Sequence, residues 1–405
     1  NIGFLLEEAG FADSSRAFYE KVVNDFSRSS LMPDALMRLG EYYFNPPVNA
    51  VKTAITYFER ILPFYDSPRY NEALYRLGWC YYRINDYPRA ISYFTRLADD
   101  IEKARQFDPQ QKFTNPSLVD ESVEYIGLSF LDYGGASRAA EYLQKIGGRD
   151  YGVQVLKRIG DAYFNEKEDY PNALQAFTLL LTLYPNDALA PVVQNRIVQC
   201  YRRLEDQAQA FRSRELLYTT YGQGSDWWNR NTDAAVRKRA LLQVESALRD
   251  NITVLLNRGQ ETGQTEFFQQ AVLQSRKYLD SFTADSSAAL IHWNMALTMD
   301  TKLKQTQQAF DEYLRISNLY WNSPYQRFAA TNAVALARDA ALTEIADAER
   351  TAQQIVSLAD LQKETKNPQG IKFRERMKLE PRQLTAEEER LAQAYDNYIK
   401  LFPHD

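Results

Sequence analysis

The stretch at residues 77–94 reads LGWCYYRINDYPRAISYF and contains two apolar patterns joined by a short polar turn. Apolar residues three and four apart on each side of the turn indicate two helices, and a proline stands near the start of the second. Within the stretch, Gly78, Tyr81, Ala90 and Phe94 follow one another at intervals of three, nine and four residues. The stretch therefore predicts one antiparallel helical hairpin.

The same order of small and large residues recurs along the chain, which indicates an internal repeat. The equivalents of Gly78 are Gly40, Gly127 and Gly160. They are followed in turn by Tyr43, Ala54 and Phe58, by Phe130, Ala139 and Leu143, and by Tyr163, Ala173 and Phe177. We expect each glycine and alanine to lie on facing helices that cross closely, with the large side chains filling the space beside the crossing.

This spacing resembles the tetratricopeptide repeat, a unit of about 34 residues with a Leu-Gly pair, then Tyr, Ala, Phe and Pro at set positions. The resemblance implies an all-α fold, a right-handed superhelical solenoid of antiparallel helix hairpins. We predict about five regular hairpins over residues 1–220, the first of them truncated, and degenerate hairpins over residues 221–405. In the second region the pattern predicts long helices near residues 234–257 and 326–361.

Two segments interrupt the repeat period. Residues 98–118 contain two prolines and predict an inserted loop. A charged stretch near residues 362–385, which also holds prolines and a glycine, predicts an exposed insertion. Two interpretations stay open for the charged stretch: a solvated linker, or an arm that binds a partner.

Composition and motifs argue against several classes of function. The net charge is −5 without a sustained basic stripe, which disfavours nucleic-acid binding, and no apolar run approaches the roughly 20 residues of a membrane-spanning helix. Cys80 and Cys200 fall at equivalent positions of two repeats, so we expect two buried thiols and no disulfide between them. His292 and His404 lack metal-ligand spacing, and phosphate loops and nucleophile elbows are missing. We predict no catalytic, metal or cofactor site, and therefore not an enzyme.

Helical solenoids typically bind partners along extended surfaces. The resemblance implies that this surface is lined by first-helix side chains that point away from the second helix of their own hairpin. The candidate partner-binding residues carried over in this way are Phe44, Tyr75, Trp79, Tyr82, Arg83, Lys157, Phe164, Asn165, Asn195, Gln199, Arg202 and Arg203. The tandem pair Trp227 and Trp228, next to a glycine-containing turn, is a further candidate patch.

Each of these groups has a second interpretation. Trp79 shares a helix face with Tyr75 and Tyr82, and exposed Trp and Tyr are typical anchors for a partner; alternatively, the neighbouring hairpin or the inserted loop covers them. The arginine pair at 202 and 203 either grips carboxylates of an extended peptide or is solvated. The tandem tryptophans form either a surface patch or a plug between two hairpins.

We therefore predict a non-catalytic scaffold that binds partner proteins or peptide segments. Some members of the family hold a C-terminal carboxylate through Lys and Asn at set first-helix positions. Met37, Glu41, Tyr75 and Trp79 occupy those positions here, which argues against binding of a chaperone tail.

The Tyr-Pro-Asn-Asp turn at residues 184–187 resembles turns of bacterial cell-envelope members of the family, such as the lipoprotein of the outer-membrane barrel-assembly machinery and the coordinators of the Tol–Pal system. This resemblance implies a periplasmic or outer-membrane-associated protein of a Gram-negative bacterium with outer-membrane partners. The alternative is a substrate-recruiting or regulatory arm of a larger enzyme, because the chain opens in an apolar pattern without Met and is expected to be a fragment. Oligomerisation through the terminal hairpins is compatible with either function.

Overall fold

The computed structural model describes residues 2–26, 28–107, 116–363 and 383–404, with the side chains of residues 116 and 349–363 excepted. All regular secondary structure in these ranges is helical, which confirms the all-α prediction. The helices fall into two compact units, Asn1–Gln243 and Val244–Asp405. The predicted division by repeat regularity, at residue 220, concerns sequence similarity and stays a prediction.

The N-terminal unit is a succession of six helical hairpins and one short helix. Its helices are α1 (Ile2–Glu8), α2 (Ala12–Asp25), α3 (Met32–Phe44), α4 (Val51–Glu59), α5 (Arg69–Arg83), α6 (Tyr87–Phe107), α7 (Pro116–Asp132), α8 (Gly135–Lys145), α9 (Gly152–Asn165), α10 (Tyr170–Leu183), α11 (Ala190–Arg203), α12 (Gln207–Tyr221) and α13 (Asp226–Arg230). In each hairpin the odd-numbered helix from α1 to α11 is the first helix and packs on the even-numbered one that follows it.

The turn inside a hairpin has a recurring local structure. Glu168 and Glu205 adopt the left-handed conformation, with φ angles of 51° and 59°, in the turns that follow α9 and α11. The next residues, Asp169 and Asp206, accept hydrogen bonds from the backbone N–H three positions later, at 3.2 Å and 3.0 Å. These N-caps satisfy a donor that the first turn of the helix leaves unpaired, so the second helix begins directly after the turn.

Rings of the second helices pack on the glycines of the first helices. A Cβ atom on Gly78 would lie 2.5 Å from Cε1 of Phe94, and one on Gly40 or Gly160 would meet the equivalent phenylalanine at 2.3 Å or 2.5 Å. Ala90 is fully buried in the same hairpin. The expectation of two helices crossing closely at small side chains is thus corrected in one respect: the close approach joins an aromatic ring to a helix backbone.

Gly127 is an exception to this arrangement. A Cβ atom there would lie 3.1 Å from Cβ of Arg158 and 3.2 Å from the carbonyl oxygen of Val155, both on α9. Leu143, which replaces the phenylalanine, lies near the position of a Cβ atom on Gly152 instead, at 3.2 Å. The prediction that Gly127 marks the contact inside its own hairpin is therefore wrong: it lies against the following first helix.

The segment predicted as an inserted loop at 98–118 is largely helical. Helix α6 continues to Phe107 and α7 begins at Pro116, while residues 108–115 lie outside the described ranges. Ala98 and Ile101 are fully buried in α6, because the apolar period continues past the expected end of the helix. The loop prediction is wrong for residues 98–107 and for 116–118.

The C-terminal unit contains most of α14 (Ala234–Thr262), followed by α15 (Thr265–Ser281), α16 (Ala288–Thr301), α17 (Thr306–Leu319), α18 (Pro324–Lys363) and α19 (Ala386–Leu401). Both predicted long helices are confirmed, as α14 and α18. Gly259 of α14 repeats the glycine–ring contact, with a Cβ position 2.8 Å from Phe268. Gly259 was not predicted as a contact from the sequence.

The charged stretch near residues 362–385 lies mostly outside the described ranges. Residues 362 and 363 end α18, and residues 364–382 are not described. Thr385 and Glu388 form a capping box that starts α19. Among the described helices, none is long and apolar enough to cross a membrane.

Candidate protein-binding surface

In a first helix, an arginine stands two residues before the small residue that is equivalent to Gly78. Its side chain contacts the first helix of the preceding hairpin. Nη2 of Arg76 on α5 lies 2.9 Å from Oε1 of Glu41 on α3. Nε of Arg196 on α11 lies 3.6 Å from Oδ1 of Asp161 on α9. We call each contact of this kind between consecutive first helices a rung. All four side chains are half-buried, so the rungs join neighbouring hairpins at the edge of the solvent.

Two further rungs use an acid one helical turn away. Arg38 of α3 pairs with Glu7 of α1 at 3.1 Å, and Arg158 of α9 pairs with Glu124 of α7 at 3.3 Å. In α1 and α7 the residue directly after the glycine is apolar, whereas in α3 and α9 it is the acid of the rung. The arginine position is thus constant, and its partner shifts to the nearest available carboxylate.

The rung between α5 and α7 is aromatic. Tyr125 stands at the arginine position of α7, and Trp79 stands at the acid position of α5. Their ring centroids are 4.1 Å apart, and the ring planes are inclined by 52°. Tyr82 and Phe94 also contact Tyr125, with centroid distances of 5.5 Å and 5.8 Å. A cluster of rings therefore replaces an ion pair at this one junction.

The three predicted aromatic residues of α5 are half-buried in this cluster. Tyr75 and Tyr82 flank Trp79 edge-on at 6.4 Å and 6.2 Å, and the Tyr75 hydroxyl donates a hydrogen bond to the carboxylate of Glu121 on α7. The pKa of Tyr75 is raised to about 12, mainly by burial and to a smaller extent by this hydrogen bond. Burial also raises the pKa of Tyr82. The next hairpin covers part of Trp79, which agrees with the interpretation that a neighbouring hairpin packs on this face. The role of Trp79 in binding a partner stays a prediction.

Phe44 and Arg83 form a separate contact. Phe44 is only 9% exposed, and the guanidinium carbon of Arg83 lies 4.5 Å from its ring centroid. Nη1 of Arg83 also donates to the carbonyl oxygen of Phe44 at 3.0 Å. The expectation that the Phe44 ring faces a partner is corrected, because the ring is buried beneath Arg83, which is itself exposed.

The candidates on α9 are drawn into contacts with their neighbours. Nζ of Lys157 lies 2.5 Å from Oδ2 of Asp161, one turn along the same helix. The half-buried ring of Phe164 has the guanidinium of Arg196 at 5.4 Å. Asn165 is exposed at the end of the helix. Of these three candidates, Asn165 is the most accessible, whereas Lys157 and Phe164 are half-buried.

The candidates on α11 divide into paired and exposed residues. Asn195 donates to Oε1 of Gln243 at 2.7 Å, and Gln199 accepts a hydrogen bond at 3.0 Å from the rung arginine of its own helix. Arg202 and Arg203 are exposed. Of the candidates on this helix, these two arginines are the most accessible.

The tandem tryptophans occupy different environments. Trp227 is 2% exposed, and its indole N–H donates at 2.9 Å to the carbonyl oxygen of Asp187. Its ring meets Tyr221 edge-on at 5.5 Å. Trp228 is half-buried with the guanidinium of Arg237 at 4.8 Å from its ring. The plug is the interpretation that fits Trp227, since a buried indole needs an acceptor; Trp228 keeps an accessible ring.

A groove lies between α7 and α9, where the rung pair Glu124 and Arg158 forms part of its lining. Its volume is about 590 Å³, and its lining includes Val119 and Val123 of α7, Tyr151 next to α9, and Lys157 and Arg158 of α9. The groove therefore combines apolar walls with charged side chains on the same face as the rungs.

Cysteine and histidine are scarce in this chain, which has two of each. Cys80 and Cys200 are free and buried, as predicted, and burial raises the pKa of each thiol to about 12. Nε2 of His292 lies 2.8 Å from Oε2 of the buried Glu312 in the C-terminal unit. Burial opposes the charge of Glu312, but the bond to His292 and two nearby arginines outweigh it and hold its pKa below the usual value. Within the described residues, no group of three or more His, Cys, Asp or Glu is placed to hold a metal ion.

The rung arginines were not among the residues predicted from the sequence. Arg38, Arg76, Arg158 and Arg196 stand two residues before the small residue in four first helices, and Tyr125 stands at that position in α7. The constant offset was a usable signal. Its meaning required knowing which face of one first helix meets the next.

The tetratricopeptide-repeat family profile matches residues 72–100 and 155–187, which lie in the hairpins α5–α6 and α9–α10. A comparison with curated protein sequences finds no match.

Solved structures that are similar include the C-terminal part of a tetratricopeptide-repeat protein from Cytophaga hutchinsonii, at 13% identity and a TM-score of 0.30, over 72% of this chain and 98% of that one. Another is the TPR2AB domain of yeast Sti1 in complex with pHSP90, at 15% identity and a TM-score of 0.23, over 67% and 100%. A third is a monomeric IFIT1 mutant with Gppp-AAAA, at 13% identity and a TM-score of 0.23, over 99% and 80%. The profile match and the helical hairpins together establish that this chain contains tetratricopeptide repeats.

Proposed function

We propose that the chain is a non-catalytic scaffold that binds partner proteins or peptide segments on the first-helix surface of its N-terminal unit. The rungs carry this proposal. They join α1, α3, α5, α7, α9 and α11 in succession, so the first helices share one contiguous surface. Repeats of this family typically act as protein-binding scaffolds, and stacked hairpins present such extended surfaces to partners.

Two parts of this surface offer different chemistry. Around α5 and α7, half-buried rings of Tyr75, Trp79 and Tyr82 combine apolar area with polar edges, as anchor residues at protein interfaces do. At the end of α11, exposed Arg202 and Arg203 can form paired hydrogen bonds to a carboxylate. A partner segment that spans both parts would meet rings first and cations later.

Site-specific photo-crosslinking tests the proposal, and circular dichroism checks that each variant keeps its helices. A benzoylphenylalanine replaces Tyr82 on the first-helix surface or, as a matched control, Tyr65, which is 74% exposed in the loop before α5. Extract of the source organism is irradiated with each variant, and the adducts are identified by mass spectrometry. We expect discrete adducts from position 82 that position 65 does not give. The same adducts from both positions, or none from position 82, would contradict the proposal.

We further propose that the scaffold acts in a multi-protein assembly of the bacterial cell envelope, with outer-membrane or periplasmic partners. The support is the turn sequence at residues 184–187. Fractionation of source cells with an antibody against this chain would give signal in the periplasmic or outer-membrane fraction. A cytoplasmic signal would overturn this location, and a band that co-migrates with a catalytic domain of the same polypeptide would favour the enzyme-arm alternative.

A further inference from the structure

We infer that the groove between α7 and α9 binds a positively charged, extended peptide segment. This inference rests on the proposed scaffold function and specifies the chemistry of its partner. The groove volume of about 590 Å³ falls in the range of roughly 300–1,000 Å³ that is typical of ligand pockets.

The walls of the groove suit the stems of long basic side chains. Val119 and Val123 on α7 and Tyr151 next to α9 are buried residues that line it. Lys and Arg bury their methylene stems against apolar surface while the charged group stays near water or a carboxylate. Apolar walls with a charged rim therefore match such side chains better than they match a fully polar ligand.

The cations of the lining are already neutralised by intramolecular partners. Lys157 pairs with Asp161 at 2.5 Å. Arg158 pairs with Glu124 at 3.3 Å and with Glu166 at 2.8 Å. Neither cation is left to balance the other acids of the groove, so the remaining carboxylates set its charge.

Four lining carboxylates have no ion pair among the described side chains. They come from four separate segments: Glu102 from α6, Asp120 from α7, Asp150 from the turn before α9, and Asp187 from the turn before α11. With both lining cations paired, the surplus charge of the groove is negative, and a surplus of one sign attracts ligands of the opposite sign and repels those of the same sign. The favoured occupant is therefore cationic, and an acidic peptide or a nucleic acid is disfavoured.

A peptide suits these carboxylates better than a single metal ion does. Within the described ranges, no three His, Cys, Asp or Glu side chains converge closely enough to hold a metal ion. An extended chain instead places successive charges about 6–7 Å apart on one face, because alternate side chains point the same way. A segment with alternating basic and apolar residues would contact several carboxylates and the apolar walls at once.

Fluorescence polarisation with a defined peptide tests the inference on the full chain. The probe is a fluorescein-labelled peptide of about eight residues that alternates lysine and leucine, with a length of roughly 26–29 Å when extended. Its counterparts carry glutamate or glutamine in place of lysine. We expect the lysine peptide alone to bind, with an affinity that falls as salt rises.

Matched variants locate the binding. The Asp120→Asn/Asp150→Asn double variant should weaken binding of the lysine peptide by roughly tenfold. Asp25→Asn/Asp66→Asn removes the same charge at two exposed acids outside the groove, so its affinity should stay within about twofold of the original. Circular dichroism checks that these isosteric variants keep their helices.

Three results would overturn the inference: no binding of the lysine peptide, equal binding of the glutamate peptide, or equal loss in both double variants. Failure of the scaffold proposal is distinguishable. If Asp120→Asn/Asp150→Asn removes binding of the lysine peptide but photo-crosslinking from position 82 gives no partner, the groove selects cationic peptides and the scaffold proposal fails. If position 82 still gives crosslinked partners but the lysine peptide fails to bind, or binds equally well to both double variants, the scaffold proposal stands and the groove inference fails.

Discussion

Helix α5 takes part in two rungs, and these join it to its two neighbouring first helices with different chemistry. Towards α3, Arg76 pairs with Glu41, two half-buried charges at 2.9 Å. Towards α7, Trp79 packs on Tyr125 with ring centroids 4.1 Å apart. Ion pairs of this exposure contribute about 0–1 kcal/mol and weaken in salt, whereas an aromatic pair contributes about 0.5–1.5 kcal/mol beyond its buried area. The comparison teaches that the repeat fixes a position and leaves its chemistry open.

This freedom bears on function. Trp79 and Tyr82 of the aromatic rung are half-buried, so part of each ring stays at the surface. The residues that join two hairpins there are also the residues most suited to contact a partner. We therefore expect stability and binding to be coupled at the aromatic rung and separable at the ionic ones.

The largest expected effect comes from disturbing the packing inside the hairpin α5–α6, whose first helix makes both rungs. Gly78→Leu would force a side chain into the ring of Phe94, whose Cε1 lies 2.5 Å from the position of a Cβ atom. Overpacking of this kind should lower the free energy of unfolding by about 3 kcal/mol, measured by urea denaturation followed by circular dichroism. Gly127→Ala is the control, because a Cβ atom there would lie 3.1 Å from the stem of Arg158 and 3.2 Å from the carbonyl oxygen of Val155, both farther away than the ring that faces Gly78. It should stay within about 1 kcal/mol of the parent, since alanine favours the helix. An unchanged midpoint for Gly78→Leu would mean that the hairpin register is wrong.

The next effect separates the aromatic rung from an exposed ring. Trp79→Ala should lower the free energy of unfolding by about 2 kcal/mol, because it leaves a space beside Tyr125 and Tyr82. Tyr65→Ala, at a ring that is 74% exposed, should cost less than about 0.5 kcal/mol. Thermal melting measures both. If Trp79→Ala melts like the parent yet loses its crosslinked partner, Trp79 serves binding alone and the aromatic rung has no structural role.

The smallest effect belongs to the ionic rung. Glu41→Gln should lower the free energy of unfolding by about 0.5 kcal/mol at low salt, since it removes one partner of Arg76. The difference from the parent should vanish at high salt, where charges are screened. The cost of Trp79→Ala should not change with salt. A salt-independent cost for Glu41→Gln would show that hydrogen bonding or packing, rather than charge, holds this rung.

The hairpins could be predicted from sequence because their signal is local and repeated. Gly78 and Phe94 recur as Gly160 and Phe177 with nearly the same spacing. In each pair, the phenylalanine ring packs on the glycine. Gly127 shows the limit of this reasoning. Its pattern is similar, but Leu143 replaces the ring that would contact it, and the following helix α9 takes that place.

Contacts between hairpins were harder to predict because they join distant parts of the chain. The acceptor of the Trp227 indole is a turn carbonyl at Asp187, 40 residues earlier, so sequence alone left the plug and the surface patch open. Pairing of Trp79 with Tyr125 likewise depends on how α5 meets α7. Aromatic residues on a predicted helix face indicate an important surface without saying which neighbour covers it.

The equivalence of the ionic and aromatic rungs is tested most directly by a double-mutant cycle that converts one into the other. Trp79→Glu and Tyr125→Arg each remove the ring pair and introduce an unpaired charge, so each alone should destabilise. Combined, they recreate the acid and arginine of the neighbouring rungs. We predict that the double variant is more stable than the sum of the single changes by about 0.5–1 kcal/mol in urea denaturation at low salt. Strictly additive free energies would contradict the equivalence, because residues that share a rung must interact.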